Sequence, residues 1–372
     1  MPRHTRFIAV IITAVLPLVG CSIPGGTPTD ANPAGAYHLT NTLTIKTSQP
    51  VVSVALGRLR GQDVIVSGTD NCTIQVWDAK GDPVGEPLNT PVDEDGHSFV
   101  SVAIGHLNGK DVIVAGCDDW VRIWDAGLHL AGELTDGSAP VALGRMNGRD
   151  VIVSGGSTWP DFTVRVWDAD GNPIVHTPQQ SDCKPIPVGP LISVAIGQLN
   201  GQDIVVSTWV CGFGPTDYPE YVLQVWDPQG HPVGPRTSGQ IEAAAGQLNG
   251  KGVVAVVVED GVQILDAPGQ PAGPSIVVPT SRIGNHAVMS LVIGRFVGQD
   301  VLASVTSDGD ILIWDGHRQV IAQGSTDMEE PLQSVAIGQL NSKDTVVTGS
   351  EDSADTGTSG VVRVWQITDD RA

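Results

Sequence analysis

The residues of this chain that could do chemistry are few and scattered. Nine histidines fall at His4, His38, His97, His106, His129, His176, His231, His286 and His317, and no pair has zinc-ligand spacing. Neither a nucleophile elbow nor a phosphate-binding loop is present. Two acidic clusters, Asp93-Glu94-Asp95 and Asp168/Asp170 with Asn172, resemble fragments of a calcium loop. Both lack the Glu that such a loop needs at its twelfth position, where Ile104 and Gln179 stand, so both read as solvated turns. No catalytic residue, metal ligand or cofactor is expected, and the elements that would hold such groups point the same way.

One phrase recurs from Val51 to the C-terminus: an apolar strand ending in Gly, a turn containing Gly-x-Asp or a close variant, a Val/Ile run, and usually Trp-Asp. The copies read SVALGRLRGQDVIVSG from Ser53, SVAIGHLNGKDVIVAG from Ser101, PVALGRMNGRDVIVSG from Pro140, SVAIGQLNGQDIVVS from Ser193, AAAGQLNGKGVVAVV from Ala243, SLVIGRFVGQDVLAS from Ser290 and SVAIGQLNSKDTVVTG from Ser334. A third short strand follows each copy, ending in Trp77, Trp124, Trp167, Trp226, Leu265, Trp314 or Trp365. Fourth strands follow most of these after turns such as DAKGDPVG and DPQGHPVG, where a Gly at positive φ closes a hairpin. Each unit is thus expected to be a four-stranded antiparallel sheet.

A period of roughly 40–50 residues with four strands per unit is the signature of a β-propeller, because one small sheet cannot bury both of its faces alone. The seventh copy ends at VRVWQITDD, without room for an outer strand. His38 to Ile45 (HLTNTLTI) alternates, with Leu39, Leu43 and Ile45 on one face and Thr40, Thr42 and Thr44 on the other. That segment is expected to supply the missing strand of the last blade, giving an all-β, seven-bladed propeller over residues 36–372. The Trp-Asp endings in register over roughly residues 38–370 resemble the WD-repeat propellers. That resemblance implies that Trp77, Trp124, Trp167, Trp226, Trp314 and Trp365 are inter-blade core residues. The family's hydrogen-bonded set joins a Gly-His, a Ser/Thr of the second strand, a loop Asp and the Trp, and no unit carries all of it. The Gly-x-Leu-Asn-Gly-x-Asp turn also looks like the calcium-binding FG-GAP repeats, but each turn offers at most one Asn and one Asp, too few oxygens for calcium. The quinone-cofactor propellers' Trp-docking pattern is absent. First strands should line the channel; they read VVSVAL, FVSVAI, PVAL, LISVAI, EAAAG, SLVI and SVAI, with Glu242 the only charge.

Arg3, His4 and Arg6 precede an apolar run from Phe7 to Val19, followed by Leu18-Val19-Gly20-Cys21. A basic region, a short apolar run and small residues make a secretory signal over 1–20, and the run is too short to span a bilayer. Leu-Val-Gly-Cys resembles the bacterial lipobox, which implies lipidation at Cys21. Residues 21–35, rich in Pro and Gly, read as a flexible tether. Removal of residues 1–20 would take away two Arg and leave 18 basic against 41 acidic residues. Such a field makes nucleic acid and anionic lipid poor partners; membrane association is expected through the lipid anchor only, on an exported monomer.

Four cysteines remain after Cys21. An even count in an exported domain suggests disulfides, and sequence allows three pairings. Cys72 and Cys117 sit in equivalent loops between second and third strands; Cys183 enters the fourth unit and Cys211 lies in that unit's own second-to-third loop. In a WD-repeat propeller these loops emerge on one face, which implies Cys72–Cys117 and Cys183–Cys211. The second-to-third loops of the second to fourth units hold Trp120, Trp159, Phe162, Trp209, Phe213, Tyr218 and Tyr221. These aromatics either pack the loops upon themselves or form a recognition patch of the kind enriched at interfaces. The expected function is a non-catalytic protein–protein interaction platform, lipid-anchored in the bacterial envelope, for an envelope protein or peptide. Two alternatives stand beside it: an envelope-assembly lipoprotein resembling the propeller of the outer-membrane insertion machinery, and a propeller enzyme of the lyase or hydrolase type.

Overall fold

The computed structural model describes residues 37–88, 100–118, 120–156, 163–177, 191–213, 219–238, 242–258, 261–278, 288–326, 330–352 and 359–367, which contain strands and no helix. The signal, tether and lipidation expectations for residues 1–35 lie outside them. All described residues belong to one unit spanning Pro33–Ala372.

The chain enters as β1 (Tyr37–Thr47). The first repeat then supplies β2 (Val51–Leu59), β3 (Gln62–Thr69) and β4 (Ile74–Asp78), and the second β5 (Ser101–Leu107), β6 (Lys110–Cys117), β7 (Trp120–Asp125) and β8 (Leu130–Leu134). The third gives β9 (Gly137–Met146), β10 (Arg149–Gly156), β11 (Val164–Asp168) and β12 (Pro173–His176); the fourth gives β13 (Leu191–Leu199), β14 (Gln202–Phe213), β15 (Pro219–Trp226) and β16 (Pro232–Ser238). The fifth holds β17 (Ala243–Leu248), β18 (Lys251–Val258), β19 (Gly261–Ala267), β20 (Gln270–Pro271) and β21 (Ile276–Val277). The sixth is β22 (Val288–Phe296), β23 (Gln299–Thr306), β24 (Asp310–Asp315) and β25 (Val320–Ser325), and the last is β26 (Leu332–Leu340), β27 (Lys343–Glu351) and β28 (Gly360–Ile367).

Within the repeats the strands are antiparallel neighbours in chain order, except that β21 of the fifth pairs with β19 beside β20. Type I′ geometry makes the first turns tight, with Asn108 at φ 51° and Gly109 at φ 74° and the same pair of positive values in the other copies. Asn tolerates that region and Gly is indifferent to it, which is why Asn-Gly recurs there. The sixth copy places the β-branched Val297 at φ 50°, a strained choice at a residue packed against buried apolar neighbours.

The first repeat departs from the expected four strands. It has three, and the segment after Asp78 touches β4 only through the isolated bridges Trp77↔Pro83 and Ile74↔Leu88. Pro83 and Pro87 have no N–H to give to a ladder, so a continuous edge strand cannot form there.

Closure by the N-terminal strand occurs as expected: β1 runs antiparallel to β28, from Leu39↔Ile367 to Thr47↔Gly360. Its facing differs from the simple alternation. A register shift between Asn41 and Leu43 leaves Thr42 as an extra residue, and such a bulge exchanges the two faces of a strand. Leu39 accordingly joins the apolar cluster with Phe296, Ala303 and Trp365 between the sixth and last units, whereas Leu43 and Ile45 join the cluster between the last and first. Tyr37 and His38 also pair in parallel with Ala322 and Gln323 of β25, joining the last two units into one eight-stranded sheet.

Burial repeats with the units. Each apolar cluster draws on two consecutive repeats and includes the end residue of the later unit's third strand: Trp124, Trp167, Trp226, Leu265, Trp314, Trp365 or Trp77. One cluster joins the last repeat to the first through Val347, Val362, Val54 and Ile65. First strands contact each other in the same order, and β26 contacts β2, so the contacts close on themselves. The architecture is that of a β-propeller.

Candidate functional site

The residues that recur along the repeats turn out to be used by the fold, in most units through a hydrogen bond. The repeat Trp donates its indole N–H to a hydroxyl on the second strand of its own unit: Trp77 to Ser67 at 2.9 Å, Trp167 to Ser154 at 2.9 Å, Trp226 to Ser207 at 2.7 Å and Trp365 to Thr348 at 3.0 Å. Each bond satisfies a donor that burial would otherwise strand. Ala115 occupies the hydroxyl position of the second unit, and in the sixth unit Ser304 Oγ has no partner among the described residues.

The Asp after the Trp closes the next hairpin. Asp78 Oδ1 accepts the amides of Lys80 and Asp82, Asp125 those of Gly127 and His129, Asp227 those of Gln229 and His231, and Asp315 those of His317 and Gln319. Asp168 does the same with Asp170 and Asn172, and also accepts the Asn172 side-chain amide. This calcium-like fragment is thus an Asx turn, with its acidic oxygens directed at the chain's own amides. The Asn172 side chain is the main reason the Asp168 carboxyl lies below its ordinary range, and the His129 amide does the same for Asp125. The last unit, whose outer strand comes from the N-terminal β1, has Gln366 at this position. The other acidic cluster, Asp93-Glu94-Asp95, lies outside the described residues.

A third role was not legible beforehand. The Asp of the Gly-x-Asp turn reaches to the neighbouring unit, where its Oδ2 accepts the amide of the positive-φ turn residue. Arg60 donates to Asp111 at 2.7 Å, Asn108 to Asp150 at 3.0 Å, Asn147 to Asp203 at 2.6 Å and Asn341 to Asp63 at 2.8 Å. The last of these joins the final repeat to the first. The sequence signal was present, an Asp at fixed register after every turn but the fifth, but its acceptor role involves a backbone N–H that leaves no residue signature.

What varies from unit to unit is the loop between second and third strands. Cys72 and Cys117, both buried, are joined there by a disulfide between the first two units, with their Cα atoms 6.2 Å apart. Cys211 is disulfide-bonded as well; its expected partner Cys183 lies outside the described residues. Of the seven loop aromatics, Trp120 is packed among Cys72, Cys117 and Trp124, with the Arg122 guanidinium 4.8 Å from its ring centre. Trp209 is 1% exposed, belongs to the core between the third and fourth units, and lies under Arg236 at 5.8 Å. These two therefore serve packing and do not offer their faces to a partner. Tyr221 is half-buried, which pushes its hydroxyl above the usual range. Trp159, Phe162 and Tyr218 lie outside the described residues, as does the side chain of Phe213.

Two further polar features stand out. A cavity of about 450 Å³ opens where β1 leaves β25 for β28, bordered by His38, Asn41, Thr326, Glu330, Arg363 and Trp365. Its charges cancel, because Arg363 pairs with the buried Glu330 and donates to Ser350 Oγ at 3.1 Å. The second feature is Glu242. Its Oε1 accepts Ser290 Oγ at 3.2 Å and the Leu291 amide at 3.4 Å, and burial pushes the carboxyl up to about 8 against those two stabilising bonds. Among the described residues no group of three or more His, Cys, Asp or Glu could hold a metal ion.

Comparison with known proteins places the fold and nothing finer. No family model and no curated protein matches the chain. Among solved structures it is similar to Raptor from Chaetomium thermophilum, with 13% identity and a TM-score of 0.61 over 91% of this chain and 29% of that one. The chain thus spans less than a third of that protein's length, and at this identity the likeness concerns architecture alone. The molecule is a repeat protein of the β-propeller class.

Proposed function

We propose that this chain is a seven-bladed WD-repeat propeller that acts as a non-catalytic interaction platform, exported and lipid-anchored through Cys21 in a bacterial envelope. One observation carries the reading: in most units the recurring Ser, Trp and Asp side chains are engaged within or between the units, so the freedom to evolve a function lies in the second-to-third loops, where the copies differ. The Cys72–Cys117 bridge fixes the first two of these loops relative to each other. A rigid scaffold presenting variable loops is a common way for proteins to build recognition surfaces. Seven repeats, seven consecutive apolar clusters and the closed order of first strands support the blade number.

The burial of Trp209 and its place in β14 dictate how the test is built. Replacing all of Ser207–Tyr221 would remove core residues, so the replacement is confined to residues 214–218, exchanged for a two-residue Asn-Gly turn. The intact chain and the variant, matched in β-sheet circular dichroism and melting, are compared in affinity capture from envelope extract. The platform reading expects a partner that the intact chain retains and the variant loses. Retention of the same partner by both would move the binding surface off this loop, and failure of either to retain a partner would favour a small-molecule or catalytic role.

A further inference from the structure

Each first strand carries one polar position four residues before its Gly. Ser53, Ser101, Ser193, Ser290 and Ser334 occupy it, with Pro140 in the third unit and Glu242 in the fifth. Its structural work is visible at three seams, where the Ser hydroxyl accepts an amide of the next unit: Val102 to Ser53 at 3.1 Å, Val141 to Ser101 at 3.2 Å and Val54 to Ser334 at 3.0 Å. Glu242 takes over that work for the amide of Leu291. A hydroxyl would suffice for it. The carboxyl adds a second oxygen, Oε2, to which no described residue donates, and a charge with no Lys, Arg or His paired to it among the described residues.

Its surroundings make that charge expensive. Between the Ser position and the Gly the inner strands are apolar, and Ala55, Ile104, Ile196, Ile293 and Ile337 remain partly exposed along them. Basic residues of the strands packed against β17 lie at the far ends: Lys251 pairs with Leu248, and Arg295 pairs with Asp300. Glu242 sits at the opposite end, its carbonyl accepting the Val257 amide beside the second-to-third turn. A cation seated against the second oxygen, to which no described residue donates, would draw the proton off this carboxyl and form the ion pair within low-dielectric walls.

We infer that Glu242 anchors a basic side chain, the ammonium of Lys or the guanidinium of Arg, presented by a partner at the loop end of the inner strands. A divalent metal is the poorer fit, since it would want about six or more oxygens and only one carboxyl is here. Long basic side chains carry an apolar stem that partly exposed Ile and Ala side chains would cover. The net charge of −21 favours approach of a basic segment. This inference rests on the platform reading and names the chemistry of its partner.

The test uses the full chain with three probes, acetylated and amidated Gly-Lys-Gly, Gly-Arg-Gly and the neutral Gly-Gln-Gly, followed by calorimetry. Glu242→Ser restores the residue that the repeat uses elsewhere, so folding should be preserved; Glu242→Gln keeps the shape and removes the charge. The expected result is binding of the Lys or Arg probe to the native chain, an about tenfold or greater loss in both variants, and no comparable response to the Gln probe. Equal affinity in the native chain and in a normally melting Glu242→Ser variant would overturn the assignment, as would absence of probe binding to the native chain. If Glu242→Ser still captures the envelope partner while the native chain binds no probe, the cation site fails and the platform stands. Probe binding lost with Glu242, in a chain that captures no protein, would keep the site and remove the platform.

Discussion

The seam between the last and first units and the seam between the fourth and fifth close the same kind of gap with different residues. At the first of these, Trp77 fills the apolar cluster, Asn341 donates to Asp63, Val54 donates to Ser334, and β1 supplies Leu43 and Ile45 from the other end of the chain. At the second, Leu265 stands where Trp is usual and Gly252 where Asp is usual, and the cluster is built from Ala195, Ala243, Val254 and Val256. A Cβ on Gly252 would collide with the Gln198 carbonyl, so here the backbones meet directly. Both positions carry smaller residues than elsewhere, and at Gly252 no space is left for even a Cβ. The two repeat departures that made the fifth unit look degenerate are therefore one coherent packing solution.

The largest expected effect separates these seams by chain connectivity. Removing residues 1–47 takes away β1, which bonds the length of β28 and feeds the clusters on both sides of the last unit. Loss of a cooperative thermal transition is expected, whereas a chain lacking only residues 1–36 should melt like the parent. If both truncations melt alike, β1 is not the closing element. Next in size come the side chains at the third-strand end. Trp77→Ala should cost about 3 kcal/mol or more, measured by urea denaturation. Leu265→Trp, although it restores the usual residue, should destabilise by about 1–3 kcal/mol, because Leu265 is buried among Ala195, Val254 and Val256 and an indole would overpack that cluster. A stabilising Leu265→Trp would show that the fifth unit is merely eroded.

The pH dependence of stability probes the next seam, between the fifth and sixth units, where Glu242 replaces Ser. Its folded-state value of about 8 lies above the ordinary value of 4.5, so between these values the folded chain holds a proton that the unfolded chain has released. Its contribution is fully present below about pH 4.5 and is lost as pH rises through 8, with a slope of at most about 1.4 kcal/mol per pH unit. Glu242→Ser should flatten that decline between pH 5 and 8 in denaturation curves. A parent chain with no decline over the window that is absent from the variant would show that the carboxyl is ionised and paired in the fold.

How much of this could be read beforehand follows from where each signal resides. The repeat, the Asn-Gly turns and the closing strand were legible, because each depends on residue types at fixed spacing; the Cys72–Cys117 bridge followed only from the resemblance to WD-repeat propellers, since spacing alone left three pairings open. The bulge at Thr42 was not: HLTNTLTI alternates but for Asn41 on the apolar face, and the face exchange comes from pairing with β28 and from the apolar demand on both sides of the last unit. Trp120 and Trp209 looked like loop aromatics only because the strands around them extend further than the repeat predicts, β7 beginning at Trp120 and β14 continuing to Phe213. Glu242 was noticed as a lone charge, but its substitution for a seryl acceptor required the register of β17 against β22 to be known.

The smallest expected effect tests the turn latch. Asp63 accepts the Asn341 amide across the closing seam and is also 2.9 Å from Arg58 on its own unit. Asp63→Ala removes a charged acceptor from a partly exposed site, so a loss of about 1 kcal/mol is expected, and Asp63→Asn, which keeps an acceptor oxygen, should recover part of it. Arg58→Ala separates the two contacts: a loss much smaller than that of Asp63→Ala assigns the energy to the latch, while an equal loss assigns it to the ion pair. At the fourth–fifth seam the corresponding exchange, Gly252→Asp, supplies a carboxylate near the Asn200 turn yet should destabilise, since its Cβ meets Gln198 before any bond can form. Opposite signs for carboxylate removal at one seam and carboxylate addition at the other are what two different closing solutions require; a gain from Gly252→Asp would reduce them to one.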